Sequence, residues 1–190
     1  LGHDVEEAHP EALDDPATIL HYVRVVGANV AQAVEAWGRR LGRKLGPDDV
    51  ELLTWALAER SREMTAPELL DCIDEVHAFG RRLAAWWEGG WDLLVTPTTA
   101  QPSPEIGWLT STADDPLRAF LRSAPYGAFT SPFNLSGQPA ISLPLHSTAD
   151  GLPVGAQIAA AWGREDLLLS VASSLEEAAP WSDRRPPVFG

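Results

Sequence analysis

The chain has 190 residues, of which 45% are hydrophobic, and this is enough for the core of one domain of ordinary size. Its 27 acidic and 14 basic residues give a formal net charge of −13, which argues against nucleic acid or an anionic membrane as partner. The single cysteine cannot form an internal disulfide and no apolar run approaches the ~20 residues of a membrane span, so we expect a cytoplasmic protein.

The first fifteen residues contain six carboxylates and no Lys or Arg, which is typical of a solvated edge. Gly2 followed by a short alternating run up to Val5 predicts a strand that comes directly after a helix end. The only methionine is Met64. We therefore expect a chain that is processed, trimmed or incomplete.

The first predicted helix begins after Asp15-Pro16, which supply an N-cap and a first-turn proline. Apolar residues then recur at spacings of three and four until Gly42, a residue that favours a helix end. The predicted apolar stripe of this long amphipathic helix consists of Ile19, Val23, Val26, Val30, Val34, Trp37 and Leu41.

Two further helices complete a helical layer predicted for residues 16–88. One follows Gly46-Pro47, and the other opens with Thr65 and Glu68 at the spacing of a capping box and ends at Gly89-Gly90. Cys72 lies inside the latter among apolar neighbours, so we interpret it as a small buried hydrophobe. The apolar stripes are Val50, Leu53, Leu57 and Met64 in one helix, and Leu69, Ile73, Val76, Leu83 and Trp87 in the other.

Residues 91–98, WDLLVTPT, contain a nearly unbroken apolar run, as expected for a strand covered on both faces. Several turn formers then predict a loop up to Gly107, and Asp115-Pro116 predicts a short helix to about Ser123.

Residues 129–159 read FTSPFNLSGQPAISLPLHSTADGLPVGAQIA. The first part predicts a loop stiffened by prolines, with Gly137 free to adopt a positive φ. Residues 140–145 and 154–159 alternate between apolar and other positions, and Asp150-Gly151 between them is a turn signal. We predict two antiparallel strands, a final helix over residues 163–177 and irregular chain over 180–190.

These segments resemble, in the same order, the C-terminal part of the amidase signature family. Its members carry a similar F-T-x-P-x-N-x-x-G-x-P-A-x-S-x-P loop followed by G-L-P-x-G-x-Q, and WDLLVTPT is similar to their buried strand and TPT loop. The resemblance implies an α/β fold with a mixed β-sheet packed with α-helices. We expect a single domain over residues 1–190, with the helical layer at 16–88 and the sheet, pocket loops and closing helix at 91–178.

The resemblance implies hydrolysis of a carboxamide C–N bond without a metal or cofactor. The family uses a serine nucleophile, a second serine in a cis peptide and a lysine base on a Gly/Ser-rich stretch. No G-G-S-S-G-G-like run occurs in the sequence, and the single lysine, Lys44, has no serine beside it. We interpret Lys44 as a solvated cation near a helix C-terminus and expect the catalytic residues in a portion that precedes this chain.

Other catalytic schemes find no support, because there is no G-x-S-x-G elbow and the five histidines show no metal-ligand spacing. By resemblance, five residues are candidates for lining the cleft of a small-molecule amide substrate, while the loop prolines hold loop shape. Amidotransferase subunits of the family carry an Asp three residues before the loop Thr, where this chain has Gly127, and this favours a simple hydrolase. The candidate substrate-binding residues are Thr98, Trp108, Tyr126, Phe129 and Thr130.

On the amidase hypothesis this chain supplies substrate-pocket wall, lacks the catalytic residues and is inactive alone. Its expected partner is then the catalytic N-terminal half, or a second copy of itself. A different class stays open, a non-catalytic helical interaction module built from residues 16–88. That alternative predicts a large exposed apolar face and binding without turnover.

Overall fold

The structure is a computed structural model, and it describes residues 1–185. Within this range the chain forms six α-helices and three β-strands, which divide between two compact units. The helical unit comprises Leu1–Leu83 and Pro104–Ala124, and the sheet unit comprises Ala84–Ser103 and residues 125–185. A single domain over residues 1–190 stays a prediction.

In the helical unit, α1 spans Ala17–Leu41, α2 spans Leu52–Ser61 and α3 begins at Ala66 and continues to Ala85. The predicted end of α1 is confirmed, because Gly42 has a φ of +67° and its amide donates to the Arg39 carbonyl at 3.3 Å. A small core holds α1 and α2 together, and its members are Val34, Leu45 and Ala58 with Val30, Ala31 and Trp55 packed around them.

Three predictions for this unit are wrong. Residues 1–10 contain no strand and Val5 is 88% exposed, because an extended segment forms a strand only when a neighbour takes its backbone hydrogen bonds. Helix α2 excludes Val50 and Met64 from its ten residues. Trp37 is not in the core but 55% exposed, with the Arg40 guanidinium 5.0 Å from its ring, since the short α2 covers only part of the α1 stripe.

The capping box predicted at the start of α3 is confirmed. Glu68 Oε2 accepts hydrogen bonds from Thr65 N and Thr65 Oγ1, both at 2.8 Å, and Glu68 N donates to Thr65 Oγ1 at 3.4 Å. The bond from the Thr65 amide, then that from its hydroxyl, and more weakly the Arg24 charge, lower the pKa of the Glu68 carboxyl.

We expect the Glu68 carboxyl, followed by NMR, to titrate below the ordinary glutamate range. Because its pKa is lowered by folding, the stability it contributes is present above the unfolded-state pKa and is lost as the pH falls through the folded-state pKa. Thr65→Ala removes the hydroxyl donor and should move the midpoint upward, whereas Thr65→Ser should keep it low. An ordinary midpoint in the unaltered chain would contradict the capping box.

The sheet unit contains β1 (Leu94–Pro97), β2 (Ala140–Ser147) and β3 (Pro153–Ala159) in the order β1-β3-β2, with both pairings antiparallel. The predicted α/β fold and the predicted antiparallel pair are confirmed, and β1 lies in the same sheet. Among residues 1–185 the sheet is antiparallel and not mixed as predicted. Gly151, with a φ of +89°, turns the chain between β2 and β3, and its amide donates to the Thr148 carbonyl at 2.9 Å. Helix α6 (Glu165–Ala178) packs on this sheet through a core of Leu143, Ile158, Ala160 and Leu168.

Strand β1 was predicted to be covered on both faces, and this prediction is wrong. Leu94 is 6% exposed, but Val95 is 64% exposed. Val95 pairs with Ile158 on the face that α6 packs against, yet the core formed there does not include it, so its side chain is left uncovered.

The predicted loop before β2 contains a short helix, α5 (Ser131–Ser136). Pro132 lies in the first turn of α5, where proline is tolerated, and Gly137 ends the helix with a φ of +70°. Both residues, which the sequence favoured as loop formers, are therefore compatible with this helix. Helix α4 (Arg118–Gly127) starts near the predicted place and continues beyond Ser123. The final helix is confirmed, and the last five residues of the irregular segment predicted for 180–190 lie outside the described residues.

Candidate functional site

One face of the sheet carries a row of polar side chains. The strand register pairs Thr96 of β1 with Gln157 of β3, and Gln157 with Ser142 of β2, so these three side chains share one face. Ile158, the next residue, belongs to the core packed against α6. Alternation along β3 therefore separates the polar face of the sheet from its core face.

The side chain of Gln157 is buried, with 4% exposed, and its amide nitrogen makes two hydrogen bonds. Nε2 donates to Thr96 Oγ1 at 3.1 Å and to the Phe129 carbonyl oxygen at 2.8 Å. A buried amide is costly unless it is hydrogen-bonded, so these contacts account for a polar residue at this position. They also attach the backbone at Phe129 to the middle of the sheet.

Two hydroxyl groups meet above Gly155 on the same side of the sheet. Thr98 Oγ1 and Ser142 Oγ are 2.6 Å apart, and the Thr98 amide donates to the Gly155 carbonyl at 2.9 Å. A Cβ atom at Gly155 would lie 2.6 Å from Thr98 Oγ1 and 2.7 Å from Ser142 Oγ. The missing side chain of Gly155 therefore makes room for this hydroxyl pair.

The loop after β1 lies beside the C-terminal end of α4, which leads into α5. The Ala100 amide donates to the Pro125 carbonyl at 3.0 Å, and the Tyr126 hydroxyl donates to Gln101 Oε1 at 3.5 Å. Thr130 Oγ1 donates to the Gly127 carbonyl at 3.4 Å. Four of the five candidate substrate-binding residues, namely Thr98, Tyr126, Phe129 and Thr130, thus belong to adjoining segments of the sheet unit.

Trp108, the fifth candidate, belongs to the helical unit. Its ring is 4.8 Å from the Arg122 guanidinium, which also donates to the Trp108 carbonyl at 2.8 Å, and the residue is 40% exposed. Substrate contact by any of the five candidates stays a prediction.

Two indoles hold the far end of the F-T-x-P loop. Trp87 Nε1 donates to Gln138 Oε1 at 3.3 Å, and Trp162 Nε1 donates to the Ser136 carbonyl at 2.9 Å. An indole N–H can only donate, so it requires the oxygen of the Gln138 amide to face it. These bonds, with Gln157 at the other end, fix the loop to the sheet unit at both ends.

Ser142, Gly155 and Gln157 are site residues that were not among the sequence-based candidates, although they are the S, the last G and the Q of the two family motifs. Their signal was a polar or small residue at alternate positions of two otherwise apolar strands. The hydroxyl pair is not by itself an activated nucleophile, because a threonine hydroxyl is no base for the Ser142 proton. These groups hold the loop after β1 and the Phe129 backbone against the sheet through hydrogen bonds.

Other candidate chemistry is not supported by the part of the chain that the structure describes. Across residues 1–185 no group of three or more His, Cys, Asp or Glu could hold a metal ion, and no helix is long and apolar enough to cross a membrane. Cys72 is 1% exposed, which confirms its predicted burial. Lys44 is exposed, as predicted, beside an open hollow of about 600 Å³ in the helical unit.

The chain is similar to known amidases along its whole length. It is 46% identical over 194 residues to the 6-aminohexanoate-cyclic-dimer hydrolase of Paenarthrobacter ureafaciens, which covers 100% of this chain and 39% of that protein. It is 30% identical over 214 residues to an acylamidase of Rhodococcus erythropolis, covering 98% and 42% of the two chains. The chain therefore spans about two fifths of the length of these relatives.

Solved structures give the same result. The structure of a 6-aminohexanoate cyclic dimer hydrolase complexed with substrate superposes with a TM-score of 0.91 at 44% identity, over 98% of this chain and 40% of that one. A bacterial aryl acylamidase, 20% identical, shares the fold with a TM-score of 0.63 over 92% of this chain and 38% of its own. The Amidase family model matches residues 1–169. The chain belongs to the amidase family.

Proposed function

We propose that this chain forms part of an amidase that hydrolyses carboxamide C–N bonds through a serine nucleophile, and that it supplies substrate-pocket wall. The observation that carries the proposal is the superposition on a 6-aminohexanoate cyclic dimer hydrolase over 98% of this chain. The proposed substrate class is a small aliphatic amide of the kind named for that relative. Gly127, in place of the amidotransferase Asp, supports hydrolysis over amide transfer.

In the proposed mechanism the nucleophile and its lysine base come from the part of the longer relatives that this chain does not span. The serine attacks the amide carbonyl, the amine leaves with a proton, and water then hydrolyses the acyl-enzyme to the acid. The role of this chain is to bind and orient the amide with Thr98, Trp108, Tyr126, Phe129 and Thr130. The Phe129 carbonyl already accepts from Gln157, so its ring is the part that we assign to the substrate.

The proposed partner is the catalytic N-terminal half, and the alternative occupant of the same surface is a second copy of this chain. Strand β1 lies at an edge of the sheet, where unpaired backbone groups are available for another strand. Its residue Val95 is 64% exposed, which is costly for an apolar side chain in water. A cytoplasmic location stays a prediction, supported by the lone cysteine.

A non-catalytic helical module stays the second candidate. It is favoured by apolar side chains exposed on α1, where Leu20 is 65% and Leu41 58% exposed. The family match weighs against it, because residues 1–169 include the sheet and its loops as well as the helical layer.

The test uses this chain alone and a hybrid in which it replaces the matching segment of the Paenarthrobacter ureafaciens hydrolase. We expect no amide turnover by the chain alone, because we assign the Ser/Ser/Lys set to the part of the longer relatives that this chain does not span. We expect turnover of the 6-aminohexanoate cyclic dimer by the hybrid. Lys44→Ala should leave the hybrid active, because Lys44 is exposed and is not the proposed base.

Light scattering measures whether the chain associates with itself or with the catalytic half. The chain alone should self-associate, and it should form a mixed species when the rest of that hydrolase is supplied separately. Turnover by the chain alone that disappears in Lys44→Ala would overturn the assignment of the base. A chain that stays monomeric and does not bind the catalytic half would favour the helical module.

A further inference from the structure

The side chain of Gln157 lies in the most buried part of its strand. Its neighbours Ile158, Ala159 and Ala160 are 2%, 0% and 0% exposed. A hydrophobic side chain of similar length could fill the same space, so packing alone does not require an amide here. The amide is distinguished by its two hydrogen bonds, to Thr96 and to Phe129.

Few hydrogen bonds reach the Phe129-Thr130 segment from outside. Thr130 bonds to Gly127, three residues before it, and its carbonyl accepts from the amides of Phe133 and Asn134 in the first turn of α5. Within residues 1–185, the bond from Gln157 is the one hydrogen bond that joins this segment to the sheet. Among the described residues, this amide is therefore the hydrogen-bonding link between the segment and the sheet.

We propose that Gln157 is a positioning residue, which holds the Phe129-Thr130 segment against the sheet in the arrangement that receives the amide substrate. This inference rests on the proposed function for its substrate, but the contact it invokes can be tested without turnover. Gln157 acts through Phe129 and does not itself touch the reacting groups.

The chemistry of the two bonds allows one of them to be removed selectively. In Gln157→Glu the carboxylate cannot donate to the Phe129 carbonyl. It can still accept from the Thr96 hydroxyl if that hydroxyl rotates away from its present acceptor, the Pro97 carbonyl at 3.0 Å. Two acceptor oxygens would then face each other across the 2.8 Å contact. The matched control is Thr96→Val, which removes the other acceptor, together with the bond from the Thr96 hydroxyl to the Pro97 carbonyl, and leaves the bond to Phe129 in place.

Hydrogen exchange on the full 190-residue chain tests the position of the segment. In Gln157→Glu we expect the amides of Phe133 and Asn134, which bond to Thr130, to exchange about tenfold faster, while amides of the β2–β3 pair are unchanged. Thr96→Val should stay within about twofold of the unaltered chain. If Gln157→Glu does not fold, Gln157→Met removes both bonds without adding charge and carries the same expectation.

Kinetics of the hybrid enzyme test whether the position of the Phe129-Thr130 segment affects substrate binding. Gln157→Glu should raise KM about tenfold while kcat changes less than about threefold, because a displaced wall weakens substrate binding more than chemistry. Thr96→Val should behave like the unaltered hybrid. Unchanged exchange in a folded Gln157 variant would overturn the proposal, and so would faster exchange with an unchanged KM. An inactive unaltered hybrid would count against the proposed function, with hydrogen exchange then deciding the role of Gln157.

Discussion

Replacing Leu143 with alanine is expected to lower the free energy of unfolding by about 2–5 kcal/mol. Leu143 is 5% exposed and belongs to the core that β2 and β3 form with α6, together with Ile158 and Leu168. The substitution loses the transfer free energy of the removed carbon atoms and leaves a cavity that the antiparallel strands can fill only in part. Alternation along residues 140–145 predicted this burial, and the structure confirms it.

Urea denaturation of the full chain measures the effect, and Leu169→Ala is the matched control. Leu169 is the residue after Leu168 on α6 but is 65% exposed, so its truncation should change the stability by less than about 0.5 kcal/mol. Equal losses in the two variants would mean that Leu143 does not belong to the core.

Gly155→Ala is expected to cost about 1–3 kcal/mol and to break the bond between the Thr98 and Ser142 hydroxyls. The added Cβ would lie 2.6 Å and 2.7 Å from those two oxygens, and 3.1 Å from Thr98 Cβ, distances at which an atom must move. Gly155 lies in the central strand, where its carbonyl also accepts from the Thr98 amide, so the backbone cannot retreat without loss of that bond.

Thermal unfolding compares Gly155→Ala with a control glycine of the same unit. A Cβ at Gly89 would meet its nearest atoms, on the Trp91 ring, at 3.5 Å, so Gly89→Ala should stay within about 0.5 kcal/mol. Adding Ser142→Ala to Gly155→Ala should recover part of the loss, because one of the two close oxygens is gone. A harmless Gly155→Ala would show that the hydroxyl pair does not depend on the glycine.

The elements of this protein were largely determined by residues close together in the sequence. The Thr65-Glu68 box starts α3, Gly42 ends α1, and the Asp150-Gly151 turn joins the two predicted strands. These signals act within a few residues, where a side chain and a backbone group meet whatever the rest of the fold does. The family resemblance likewise rests on contiguous motifs, and these contain Thr98, Phe129 and Thr130.

The contacts that hold those residues were decided only by the tertiary structure. Gln157 reaches Phe129 across 28 positions, and Thr98 reaches Ser142 across 44, and neither pair follows from local periodicity. The exposure of Trp37 and Val95 could not be predicted from the sequence either, since an apolar side chain is buried only if another element covers its face. A repeating pattern specifies which side of a helix or strand is apolar, but strand register and the placement of neighbouring elements determine which groups meet there.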